Sequence, residues 1–314
     1  MNFDPDKFLR AVAPSFDVEE GSQNVSLGHL AELTGRWTGP GMNIVALPKF
    51  GGRDPGFQVK LNATQESISF FNDVGNVPNR GNNQPDIVIT GLRYQQEVTD
   101  RGTGHALHVE PGIMLNLPTN QVQTEPTVVR MGTVPHGDSF LAQGNSFAFG
   151  GAPQIGAADP TPFTLGPSGN RKNIQNSNYL SVYKNLKLPG SLTEENLLDP
   201  NSLLRQSNEN LRNHGFQIIR TVVLDFNAKP VGGINGVRPN SRDEDVGGIV
   251  NIPFVVENAD ANGMASRFWI NTVKGRGRRT FLQLQYTQTV ILEFEVGGVK
   301  IKWPHISVAT LTKG

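Results

Sequence analysis

A chain of 314 residues with 28 Lys plus Arg against 28 Asp plus Glu carries no net charge, which excludes the basic footprint of a nucleic-acid binder. It has no cysteine, so disulfides, thiol nucleophiles, iron–sulfur clusters and thiolate metal ligands are excluded, and the composition fits a reducing compartment. The first residues lack the apolar core of a signal peptide, and no run reaches the ~18 apolar residues of a membrane span, so the expectation is a cytoplasmic protein. Thirty-five glycines and 21 prolines separate short alternating runs, which predicts an all-β chain with many turns.

Two short helices are predicted first, Pro5–Val12 and Ser26–Leu33, the second with Ser26 as N-cap and Leu27, Leu30 and Leu33 at helical spacing. Arg36–Leu47 opens the sheet, and Phe57–Ala63 alternates apolar and polar residues with Ser67–Phe71 as its hairpin partner. Residues 72–85 are a loop dense in Asn, Gly and Pro. Ile87–Val98, Ala106–Val109, Ile113–Leu117, Thr127–Thr133 and Ser139–Phe149 continue as a meander. Residues 150–215 break the pattern: Gly151–Asn178 reads as a surface excursion, and Thr193–Asn213 as a helix capped by Thr193 and divided by Pro200.

Strands resume at Phe216–Phe226, Gly248–Val256 and Arg267–Val273, and the run Lys274–Arg279 reads as a solvated hairpin turn. The strongest strand is Phe281–Val296. It sets Leu282, Leu284, Tyr286, Val290, Leu292, Phe294 and Val296 on one face, with Gln288 as the polar exception, and a polar set led by Gln283 and Gln285 on the other. About ten strands, apolar inside and polar outside, make one antiparallel up-and-down β-barrel wide enough to hold a small ligand. The single domain, 1–314, has its barrel core at 33–149 and 216–312, with a loop and helix insertion at 150–215.

The last strand carries the clearest chemical candidate. In Val299–Leu311, Val299, Ile301 and Trp303 share a face with His305, while Lys300 and Lys302 point the other way. A histidine on an apolar interior face is either an axial metal ligand or a core imidazole satisfied by a hydrogen bond, and Pro304 is a point where the phase can shift. His105 and His108 are an odd number of positions apart, and His136 lies in a turn; a rim or loop position is expected for each. Arg130 faces either a ligand carboxylate or water.

Leu33–Pro48 has the G-x-W-x-G-x-G start of the lipocalin and fatty-acid-binding-protein group and looks most like the nitrobindins. Tyr94–Asn116, with Glu110-Pro111-Gly112, resembles a nitrobindin hairpin, Val129–Gly144 its strand, turn and strand, and Trp303–Leu311 its last strand. The resemblance covers about half the chain, in the family's order; residues 150–260 have no counterpart in it. It implies haem b held by iron ligation to His305, with Trp303 beside it and His136 and Tyr286 on the distal or rim side. It further implies reaction with NO, peroxynitrite or peroxide, as a peroxynitrite isomerase or weak peroxidase. The competing expectation is a carrier of a fatty acid or another apolar small molecule in the same barrel, without haem.

Overall fold

The structure, a computed structural model, describes residues 26–51, 56–119, 127–174, 182, 187–228, 247–275 and 280–314. A 3-10 helix, Gly28–Leu33, leads into β1 (Gly35–Pro48), β2 (Phe57–Phe71), β3 (Asn76–Asn79), β4 (Ile87–Asp100), β5 (Ala106–Leu117), β6 (Thr127–Val134) and β7 (Asp138–Gly150). Then come β8 (Phe163–Leu165), β9 (Arg171–Asn173), α1 (Glu194–Leu198), α2 (Ser202–Asn213) and β10 (Gln217–Ala228). The chain continues through β11 (Gly248–Asn251), α3 (Pro253–Asn258), β12 (Asp260–Lys274), β13 (Thr280–Val296) and β14 (Val299–Lys313). Ten of these strands form a ring in the order β1-β2-β4-β5-β6-β7-β10-β12-β13-β14, and β14 pairs back onto β1. All these pairings are antiparallel, so the expected up-and-down barrel is the observed fold.

One end of the barrel is an apolar plug. Leu30 and Leu33 of the 3-10 helix are fully buried there against Trp37, whose indole N–H donates to the Leu33 carbonyl at 2.6 Å. Ile68, Phe70, Met114, Leu224 and Phe268 fill the same layer from successive strands. Each such side chain contributes roughly 1.5–3 kcal/mol by leaving water, and together they fix which face of each strand points inward.

The outer face is not uniformly wet. A second apolar cluster joins Val223, Trp269, Ile306 and Val308 to Ile155, Ala158, Leu197 and Leu204 of the insertion. The polar face expected on the strand at 281–296 is buried too: Gln283, Gln285, Thr287 and Thr289 are all at most 3% exposed. Thr287 donates to the Asn201 side chain at 2.5 Å, and Gln285 donates to the Leu204 carbonyl and to the Thr310 hydroxyl, each at 3.1 Å. Those polar groups hold the insertion onto the barrel wall. Lys302 is likewise largely covered, ion-paired with Glu293 at 2.6 Å.

The insertion follows the sequence closely. Thr193 caps α1 in a capping box with Asn196, and the helix stops before Pro200, after which α2 begins. Several boundaries differ. Phe57–Ala63 and Ser67–Phe71, expected as hairpin partners, form one strand, β2, because Thr64–Glu66 continue the ladder with β1 instead of turning. Ala106–Val109 and Ile113–Leu117 likewise form one strand, β5, with Glu110–Gly112 paired to β4. The first described helix starts at Gly28 as a 3-10 helix without a side-chain cap. Residues 72–85 contain the short strand β3, paired with β4. The strand expected over Gly248–Val256 ends at Asn251, because Pro253 cannot donate to a ladder and instead starts α3 at its first turn. Arg267–Val273 is the C-terminal half of a longer strand, β12. Pro5–Val12 and the turn at 276–279 lie outside the described residues.

Candidate functional site

A polar belt lies above the plug inside the barrel. Alternation and register put Glu66, Gln96, Glu110, Arg130, Ser266, Tyr286 and Gln288 on the interior face. Arg130 is 1% exposed and spends every guanidinium nitrogen. It donates to Glu110 at 2.6 Å, to the Tyr94 hydroxyl at 3.1 Å, and to Gln288 and Ser266 at 2.6 and 3.4 Å. The expectation that Arg130 meets a ligand carboxylate or water is therefore replaced: it meets a carboxylate of its own chain. Burial alone would raise the Glu110 carboxyl, but Arg130 and the donors from His108 and Tyr94 overcome this and hold it at about 2.

Glu66 is the opposite case. It is 2% exposed and accepts from Tyr286, from Thr64 at 2.8 Å and from Gln96 at 3.3 Å. Among the described residues it has no ion-pair partner, and burial pushes its carboxyl up despite those donors. Gly41 makes room for it, since a Cβ there would stand 2.7 Å from Glu66 Oε1 and 2.5 Å from the Val308 carbonyl oxygen. The last glycine of the G-x-W-x-G-x-G stretch thus has a steric reason. Two buried carboxyls of the belt are driven in opposite directions, Glu110 down by Arg130 and Glu66 up by burial.

Beyond the belt the inward-facing side chains are less tightly covered, and we call this partly exposed end of the interior the chamber. His305 pairs with Val290 and continues the interior face of Ala309 and Leu311; β13 and β14 stay in register through Pro304, so no phase shift occurs. Asn43, Asn62, Gln288, Val290, His305 and Ser307 share that face, yet all keep partial exposure, so they line a space open to water. The Nε2 of His305 is buried without a hydrogen-bond partner. Desolvation, reinforced by the nearby His108 and His136 imidazoles, lowers its pKa to about 4, so the ring is neutral at ordinary pH.

His108 also faces inward, opposite Val98, in plain alternation with Glu110 and Met114; the register shift between Val98 and Thr99 comes only after it. Its Nε2 lies 3.3 Å from Glu110 Oε2, and its ring lies 6.0 Å from that of His136. The rim position expected for His136 is observed, in the exposed turn between β6 and β7. For His108 it is not. Trp303 is buried two residues from His305 and stacks on Phe294 with ring centroids 4.7 Å apart. Tyr286 is 2% exposed and committed to Glu66, so it is part of the belt and does not stand at the rim. Sequence reasoning missed Glu66, Glu110 and His108; the available signal was a charged or polar residue in phase with the apolar members of its strand.

A groove of about 1070 Å³ lies outside the barrel, between α2 and the wall, lined by residues such as Gln206, Asn210, Phe281 and Thr310. None of His108, His136 and His305 reaches it.

Fold and site together define a closed ten-stranded antiparallel barrel with a polar belt inside it and three neighbouring imidazoles, His108, His136 and His305, beyond that belt. No protein-family model matches the chain, and no curated protein does. Among solved structures it is similar to the crystal structure of Rv2717c from M. tuberculosis, at 13% identity and a TM-score of 0.37, over 91% of this chain and 94% of that one. The barrel assignment rests on the strand pairing and not on that likeness. No helix among the described residues is long and apolar enough to cross a membrane.

Proposed function

We propose that the barrel binds haem b in the chamber at its mouth, where His305 would hold the iron. The observation that supports this is the buried Nε2 of His305, a neutral nitrogen donor with no partner inside the protein. An unsatisfied buried polar atom is costly and calls for a ligand. The donor set fits the group: among the described residues no three His, Cys, Asp or Glu side chains converge as a metal site, and one imidazole suits an iron that brings its remaining ligands with it. Haem bound there would supply reactivity toward NO, peroxynitrite or peroxide.

The chain's own contributions are positional. Trp303 and Phe294, stacked nearly parallel at 5°, stiffen the hairpin that carries His305. Glu110 orients His108 toward the same chamber, which makes His108 a better candidate than Tyr286 for contact with a small molecule there. Carriage of a fatty acid has weaker support, since the buried guanidinium that would read its carboxylate is already neutralised by Glu110.

The test is an absorption spectrum of protein reconstituted with haemin, beside His305→Ala. A Soret band in the wild type that the variant loses, with the far-UV dichroism of the barrel unchanged, is the expected result. No band, or one indifferent to the substitution, would remove His305 as the ligand.

A further inference from the structure

The groove outside the barrel has α2 on one side and β1, β13 and β14 on the other, so the insertion creates it. We infer that it is a second binding site, for a singly anionic amphiphile of the acylated amino acid kind. The carboxylate sits at Arg101, the amide linkage crosses the middle, and the alkyl chain lies against Phe216 and Phe281. None of the three chamber imidazoles lines the groove, so binding there is separate from haem binding.

Strand order lays out the length of the site. Arg101 follows directly on β4, and its backbone N–H donates to the Ala63 carbonyl of β2 at 2.8 Å. From there the wall runs β2-β1-β14-β13 as far as Phe281. Four strand spacings separate the two ends, or roughly 19 Å less the curvature of the wall. An extended acyl chain with a short polar head spans such a distance.

The two ends differ in chemistry. The Arg101 guanidinium lines the groove with no ion-pair or hydrogen-bond partner among the described residues. Its neighbour Asp100 is held in the β4–β5 turn, where one carboxylate oxygen accepts from the Gly102 and Thr103 N–H groups at 3.0 and 2.7 Å and from the Thr103 hydroxyl at 2.9 Å. No other Lys, Arg, Asp or Glu among the described residues lines the groove, which sets the ligand's charge at one. A guanidinium fork matches a carboxylate in shape as well as sign. At the far end Phe216 and Phe281 meet edge to face at 5.9 Å, and Phe281 is 38% exposed, so an apolar chain laid on it removes aromatic surface from water. Leu203 and Leu211 of α2 complete that apolar wall.

Between the ends stands a built donor. Gln283 is 3% exposed, and its amide oxygen accepts from Asn271 at 2.9 Å. Its amide nitrogen has two hydrogens and one partner, the Ser207 hydroxyl at 3.5 Å. One buried N–H lining the groove is therefore left for a ligand carbonyl. The Thr310 hydroxyl accepts from Gln285 at 3.1 Å and keeps its own hydrogen to donate.

The experiment is calorimetric titration of N-decanoylglycine, and of its uncharged primary amide, into the full chain below the concentrations at which they form micelles. The wild type should bind the acid one to one. Arg101→Gln should weaken the acid about tenfold and leave the amide unmoved. Phe281→Glu, which sets a charge where the chain lies, should abolish binding of both. Absence of binding to the wild type overturns the inference, as does equal affinity for acid and amide, or an acid affinity indifferent to Arg101→Gln. Binding that survives Phe281→Glu places the ligand elsewhere and overturns it too. If Phe281→Glu does not fold, Gln206→Trp fills the groove from α2, and binding retained in that variant is the same refutation. No step involves haem, so the two readings fail separately.

Discussion

Arg130 shows how a full charge is kept inside a small barrel. Its guanidinium is fully bonded and lies 5.2 Å from the ring centroid of Phe268, on whose face it rests. Arg130→Met leaves Glu110 ionised and alone, and about 3–5 kcal/mol of stability should be lost in urea unfolding. The double replacement Arg130→Met with Glu110→Leu should recover most of that, since both charges then go. Glu110, depressed to about 2, gives stability that is present above the ordinary carboxylate pKa and fades as pH falls toward 2. His305 works in the same pH direction through a different state. Its ring is neutral in the fold down to about pH 4, while the unfolded chain takes up a proton below its usual 6.5. The unfolded state therefore binds more protons between these limits, and stability should rise with pH across them. Apo His305→Ala should lack that part of the acid slope, as measured by denaturant midpoints over a pH series.

At the scale of elements, β13 teaches the most. Its alternation was plain in the sequence, and the face bearing Leu284 and Tyr286 is inward as expected. What alternation cannot tell is whether a polar face meets water or another layer, because Gln and Thr serve either. Here they meet the insertion: Asn271 donates to Gln283 and Gln285 at 2.9 and 3.1 Å, and Gln285 donates onward to Leu204. Gln285→Leu should cost about 1–3 kcal/mol by leaving Asn271 and the Leu204 carbonyl short of partners. Amide exchange should then speed up in α2 before it does in the barrel strands, which hydrogen-exchange mass spectrometry resolves. The same reasoning explains Glu66, Glu110 and His108. Each sits in phase with apolar neighbours, and a single chain does not say which in-phase polar residues have partners on distant strands, as Glu66 and Tyr286 do across 220 positions. The inward orientation of His305 was legible because it depends on local periodicity alone, and the strand order because consecutive strands pair as a meander.

For the whole molecule, the interior holds the Arg130–Glu110 ion pair and, at Glu66, a buried carboxyl with no cation beside it among the described residues. The fold closes only through the pairing of β1 with β14, where Gly41 meets Ala309 and Ile44 meets Ile306. A chain shortened to end at Val296 would leave β1 and β13 as open edges, and size-exclusion chromatography should find it in aggregates instead of a monomer-sized peak. That seam also sets a timetable. Strand β1 emerges from the ribosome first and its partner last, with the stretch from Pro48 to Val299 made in between. At ordinary translation speed the wait is on the order of 10–50 s, through which the first hairpin keeps one free edge in a crowded cell. Survival of the nascent chain then depends on whatever shields that edge during synthesis, and supplying a holding chaperone should raise the soluble yield more than slowing translation does.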